Sequence, residues 1–224
     1  MTLWRQALEI ARVDLRVERH VGEILRVIIP FGIISLIVFP LAMGAQASSV
    51  ARFGPAIFWA LAVLFGMQVA LRQSASDSQT RRDLYALLGV DPAARFAGRV
   101  LSGTFLMVVF MLALLGSMIL LYGPSLSGQE TFAALVASGL VSIGLTELGT
   151  LAGEVTSGLR NRTALASLII APLAVPLVVG ASQTVEAVTQ GTGILPWVML
   201  LAAVDLALAV AGVGLARPLD EATR

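Results

Sequence analysis

Long stretches without a single charged side chain divide this sequence, and they limit its fold more than any other feature. Residues 27–51 lie uncharged between Arg26 and Arg52, and residues 53–71 between Arg52 and Arg72. Residues 100–129 run uncharged from Arg99 to Glu130, enough for one span and a turn at Gly123-Pro124-Ser125. Three further apolar stretches cover 131–153, 163–185 and 194–216; the first of these holds Glu147 and the last Asp205. A hydrocarbon core about 30 Å thick takes about 20 apolar helical residues, and inside it a segment must satisfy its own backbone. Six membrane-crossing helices are the expectation. The chain is 57% hydrophobic and 13% charged, against about 25% charged in soluble domains. Its mean hydropathy is +0.88. A solvated disordered chain is excluded, and so is a soluble globule, which needs more polar surface. The absence of cysteine excludes a disulfide scaffold, a dithiol relay and a thiolate metal site. The first stretch starts too late for a cleavable signal peptide, and a second span follows it at once.

All fifteen basic residues are arginine, and their placement is uneven. Arg5, Arg12, Arg16, Arg19 and Arg26 precede the first span, and Arg72, Arg81, Arg82, Arg95 and Arg99 occupy the second connection. Arg160 and Arg162 lie between the fourth and fifth spans, and Arg217 and Arg224 follow the sixth. With six spans, fourteen arginines fall on one side and only Arg52 on the other. Arginine and lysine concentrate in cytoplasmic loops, so both termini are expected to be cytoplasmic.

Two polar segments carry helical patterns. In residues 3–25, Ile10, Val13, Val17, Val21 and Ile24 recur at steps of three and four. Arg5, Glu9, Arg12, Arg16, Arg19, Glu23 and Arg26 follow the same spacing on another face. An apolar stripe flanked by arginines suits the membrane surface; the alternative is a helix packed against loops or a partner. His20, the single histidine, reads as a solvated side chain rather than a ligand. In the 72–99 connection, Asp77 or Ser78 can cap a short helix with Arg81 and Arg82 on its polar side. Leu84, Tyr85, Leu87 and Leu88 are its apolar side, Gly89 ends it, and Asp91-Pro92 can start the next helix. This helix is either a docking peg for a soluble subunit or a solvated hairpin.

Within the spans, Pro172 and Pro176 lie four apart on one face and should bend the fifth helix. Gly139, Gly144, Gly149 and Gly153 permit close approach to the fourth. Glu147 and Asp205 are expensive residues in lipid and mark functional candidates, either hydrogen-bonded structural carboxyls or transport residues. Glu154 falls seven residues after Glu147 on the same face. There is no HExxH, no Walker loop and no serine–histidine pairing on neighbouring spans. No catalytic site is expected here, and an energy source must come from another chain.

Four motifs then carry a resemblance. Val38-Phe39-Pro40-Leu41-Ala42-Met43-Gly44 closes the first span, and Val50-Ala51-Arg52-Phe53-Gly54-Pro55-Ala56-Ile57-Phe58-Trp59 follows it. With Leu148-Gly149-Thr150-Leu151 and the paired-proline run Ala171-Pro172-Leu173-Ala174-Val175-Pro176-Leu177, the chain resembles the haem exporter protein B (CcmB) family of cytochrome c maturation. Asp83 stands where that family commonly has a glutamate, and Gly89-Val90-Asp91-Pro92 replaces a proline-rich stretch. Neither Glu147 nor Asp205 belongs to its pattern.

The resemblance implies an all-α membrane protein, a six-helix permease of the ABC exporter type in the bacterial inner membrane. Residues 1–26 are its amphipathic interfacial helix, 27–216 its transmembrane domain with a coupling loop at 72–99, and 217–224 a cytoplasmic tail. It implies that Arg81, Arg82, Asp83, Leu84, Tyr85, Leu87 and Leu88 form a coupling helix that docks a dimeric ABC ATPase subunit. ATP would be held by that partner, and haem would be cargo of the complex rather than a cofactor of this chain. The other implied partners are CcmC-like and CcmD-like membrane subunits, a CcmE-like periplasmic haem chaperone and a second copy of the chain, with no nucleic acid. A permease for another substrate, such as a lipid or drug, is the first alternative. A scaffold that turns ATP hydrolysis into release of the loaded chaperone is the second, favoured by the absence of histidine from every span.

Overall fold

The structure, a computed structural model, describes residues 2–222 except 43, 45, 46, 76–78, 125, 157, 158 and 160. Nearly all of the described chain is helical: α1 (Leu3–Val21), α2 (Ile29–Ala42), α3 (Ala47–Ala75), α4 (Gln79–Leu87), α5 (Pro92–Tyr122), α6 (Gly128–Val155), α7 (Arg162–Thr189) and α8 (Leu195–Ala222). A π-helical turn over Ile24–Ile28 leads into α2. Six helices are long and apolar enough to cross a membrane, over Ile24–Ala42, Phe53–Arg72, Pro92–Tyr122, Gly128–Val155, Thr163–Thr189 and Leu195–Pro218.

Short-range signals set where these helices begin and end. Asp91 caps α5 by accepting from the Ala93 N–H at 2.9 Å, with Pro92 at the first helical position, where its missing N–H costs nothing. Ser127 and Glu130 form a reciprocal capping box at the start of α6. Gly22, at φ +69°, ends α1, and the Glu18 carboxylate then accepts from the Ile24 N–H at 2.7 Å. That contact caps the next helix across the break. Gly89, at φ +66°, closes α4 in the same left-handed conformation, while the expected caps Asp77 and Ser78 lie outside the described residues.

The bundle is built around α6, which packs against α3, α5, α7 and α8. Of its apolar window, 67% is buried, against 17% for α2 and α8. Phe58, Leu61, Met107, Phe110, Met111, Leu114, Leu145 and Leu148 fill the core. Two glycines bring helices close: a Cβ at Gly149 would meet the Ala70 carbonyl at 2.7 Å, and one at Gly98 the Ala7 carbonyl at 2.6 Å. Three buried hydroxyls of α6 are satisfied within their own helix, with Ser142, Thr146 and Thr150 each donating to the carbonyl four residues back. Large apolar side chains such as Phe31, Leu41, Leu120, Leu168 and Val210 point outward. An exposed apolar surface this extensive suits lipid rather than water.

The prolines illustrate the same economy. Pro40 lacks the N–H that would bond the Leu36 carbonyl four residues earlier. Tyr122, at the far end of α5, donates its hydroxyl to that carbonyl at 2.5 Å. Pro172 and Pro176 sit inside a continuous α7, exposed on its outer side, while Ala174 and Leu177 between and beyond them are buried.

Candidate functional site

The end of the bundle that carries α1, α4 and the close of α8 gathers most of the charge. The spacing sets Arg81 and Arg82 on the polar side of α4, and the resemblance counts both in the docking helix. In the structure both turn inward. Arg81 donates to Asp14 on α1 at 2.6 Å, and Arg82, 4% exposed, donates to the Gly153 carbonyl of α6 at 3.4 Å. On so short a helix these anchors hold the inner face down. Asp83 is exposed, Tyr85 is half-buried, and Leu84, Leu87 and Leu88 are 53%, 86% and 67% exposed. A cluster of three outward leucines beside a charged loop end is the anchor pattern of helix-in-groove recognition.

The base under α4 is a network the sequence concealed. Arg95 lies 3.7 Å from Glu154, both almost wholly buried, tying α5 to α6. Arg217 near the end of α8 donates to Asp91 at 2.7 Å, and the Gln6 side chain accepts from the Asp91 N–H at 3.2 Å. The hydrogen bond from Arg217, with that from the Ala93 N–H, holds the Asp91 carboxyl below the usual carboxylate range. Arg72 pairs with Glu23 at 2.6 Å. Losing one partner of a buried pair such as Arg95–Glu154 costs more than the pair contributes, because a charge is left stranded. The i, i+4 spacing of Asp91, Arg95 and Arg99 was the available signal, since it lays all three along one face of a helix that starts at Pro92.

Helix α1 divides its apolar residues between the bundle and the outer surface. Its packed stripe is Ala7, Ile10 and Ala11, with Glu18 also buried, whereas Val13 and Val17 are half exposed. The missing side chain at Gly98 lets the Ala7 carbonyl and the Ile10 side chain of α1 approach α5 closely. The four arginines Arg5, Arg12, Arg16 and Arg19 remain on the outer face, and His20 is exposed with its ring nitrogen 2.8 Å from the Arg16 carbonyl.

Glu147 and Asp205 are brought together. They are 4% and 6% exposed, and an Asp205 oxygen lies 2.6 Å from where a Gly144 Cβ would stand, one turn from Glu147. Among the described residues, both Asp205 oxygens and Glu147 Oε2 have no hydrogen-bond partner. The seam between α6 and α8 thus holds two buried carboxyl groups.

This architecture can be placed. A profile of the family described as CcmB protein matches residues 5–219, almost the full chain. The chain belongs to the CcmB family. It is also similar to a protein of Paracoccus denitrificans (strain Pd 1222) named "Heme exporter protein B", at 28% identity over 199 residues covering 87% of this chain and 88% of that protein. Membership of CcmB assigns the six apolar helices to a multi-pass membrane protein of a transport family.

Proposed function

We propose that this CcmB-family chain is the permease subunit of an ATP-driven complex that exports or delivers haem for cytochrome c maturation. Its termini and α4 face the cytoplasm across a bacterial inner membrane. A separate ATPase subunit docks on Leu84, Leu87 and Leu88, and CcmC-like, CcmD-like and CcmE-like proteins handle haem on its way to the periplasm. The observation that carries this reading is the posture of α4: pinned from within by Arg81 and Arg82, it presents Leu84, Leu87 and Leu88 outward. A docking peg needs such a rigid seat, because a push on a floppy helix is not transmitted. The match to a protein named as a heme exporter supplies the cargo class.

A deletion strain complemented with plasmid copies of the gene tests the reading. Loss of covalently bound haem in c-type cytochromes, restored by the native sequence, is expected. Normal cytochrome c levels in the deletion strain would contradict it.

A further inference from the structure

A groove of about 410 Å³ lies between the start of α2 and the end of α3, reaching Thr163 on α7. It sits at the arginine-rich end of the bundle, and the π-helical turn over Ile24–Ile28 forms part of its wall. Such turns interrupt regular packing and recur at functional sites. Its volume falls within the range of small-molecule sites, about 300–1,000 Å³.

The lining is polarised. At one end Arg72 and Glu23 form an ion pair, 37% and 43% exposed. Further in, Phe31 and Phe65 meet edge to face with centroids 5.7 Å apart. Between these ends stands Gln68, an exposed amide one turn before the end of its span, with no hydrogen bond among the described residues. Arg72 lies four residues beyond Gln68 and therefore on the same face of α3. A polar side chain on the outer surface of a membrane helix is costly unless something meets it. Phe31 is 59% exposed, so the groove is open at its side rather than enclosed.

We propose that this groove is a binding site for a planar, carboxylate-bearing amphiphile of the porphyrin class. The apolar ring lies against Phe31 and Phe65, Gln68 bonds an edge group, and a carboxylate replaces Glu23 as the partner of Arg72. This rests on the reading of the chain as a haem-exporting subunit, and it places an entry point for cargo at the cytoplasmic leaflet. The lining favours this occupant, since an exposed Arg72–Glu23 pair at one end of a largely apolar, aromatic slot lets an acidic substituent on the edge of a flat ring take the place of Glu23 on the guanidinium. Guanidinium–carboxylate bonds are the strong, geometrically selective kind. Glu23 acts as an internal competitor that keeps Arg72 neutralised until cargo arrives.

The test is titration of the full chain, in nanodiscs of neutral lipid, with metal-free protoporphyrin IX followed by its fluorescence. Saturable binding is expected, about tenfold weaker in Arg72→Gln, in line with loss of one charge-assisted bond, and weaker in Phe31→Ala. In Glu23→Gln, which frees Arg72, binding should strengthen severalfold. A misfolded variant does not gain affinity, so this arm separates a site effect from structural damage. Protoporphyrin dimethyl ester should bind with an affinity indifferent to residue 72. Equal affinity in all variants, or no saturable binding to the native chain, overturns the proposal. Displacement of protoporphyrin by nanodiscs containing phosphatidylglycerol would also overturn it, assigning Arg72 to a lipid headgroup. Each of these leaves the haem-export reading standing, because that reading is decided by the deletion strain and not by this groove.

Discussion

Tyr122 and Pro40 show how single residues close the backbone of this bundle. The Leu36 carbonyl, deprived of its helical donor by Pro40, is satisfied by the Tyr122 hydroxyl. Tyr122→Phe should cost about 1 kcal/mol, the usual net value of one hydrogen bond, read by unfolding of the detergent-solubilised chain. Pro40→Ala restores the N–H, so in that background Tyr122→Phe should cost almost nothing; equal costs in both backgrounds would show that the two residues do not interact. No sequence pattern announces this contact, because 86 residues separate its partners. The Asp91-Pro92 start of α5 is local and was legible for that reason. Replacing Asp91 by alanine should cost about 1 kcal/mol as a lost N-cap, whereas Asp91→Asn keeps the cap and removes only the charge that faces Arg217. Because Arg217 holds the Asp91 carboxyl below its ordinary range, that contact is fully formed above about pH 4, the unfolded carboxylate value, and is lost as pH falls through the lowered value. The native chain and Asp91→Asn should therefore differ in thermal midpoint at pH 7 and converge in acid. A difference unchanged down to pH 2 would contradict the pairing.

Helical periodicity revealed α1 and α4 as elements but not what each side meets. Periodicity reports which residues share a side, and burial then depends on what approaches that side. For α1 one such feature is Gly98, a notch on another helix that admits the Ala7 carbonyl and the Ile10 side chain. For α4 it is the pair of acceptors, Asp14 and the Gly153 carbonyl, that draws Arg81 and Arg82 inward. Gly98→Leu should push α1 off α5, since its Cβ alone would meet the Ala7 carbonyl at 2.6 Å; overpacking of this kind costs about 1–3 kcal/mol. Trypsin should then cut at Arg12, Arg16 and Arg19 several times faster than in the native chain. Unchanged cleavage would mean that α1 does not depend on the notch.

The six spans were the most legible feature of the whole molecule, because charge-free length is a direct requirement of the bilayer and needs no knowledge of packing. The order of helices around α6, the Glu147–Asp205 seam and the Arg95–Glu154 tie were not, since each depends on which helices become neighbours. Orientation follows from arginine asymmetry. Reporter fusions after residue 222 and near Gly128 should report cytoplasm and periplasm respectively, and a periplasmic signal from the first would reverse the assignment. On the function proposed above, α4 transmits the work of a separate ATPase to this bundle. The most direct test is co-purification of that ATPase with the chain carrying Leu84→Asp and Leu88→Asp together, at matched membrane levels. Both side chains are outward and no span is altered, so insertion should be normal while association falls by several kcal/mol, the scale of hot-spot losses. The account predicts that the ATPase is lost from the purified membrane fraction. Undiminished recovery would show that it docks elsewhere, and the claim would fail.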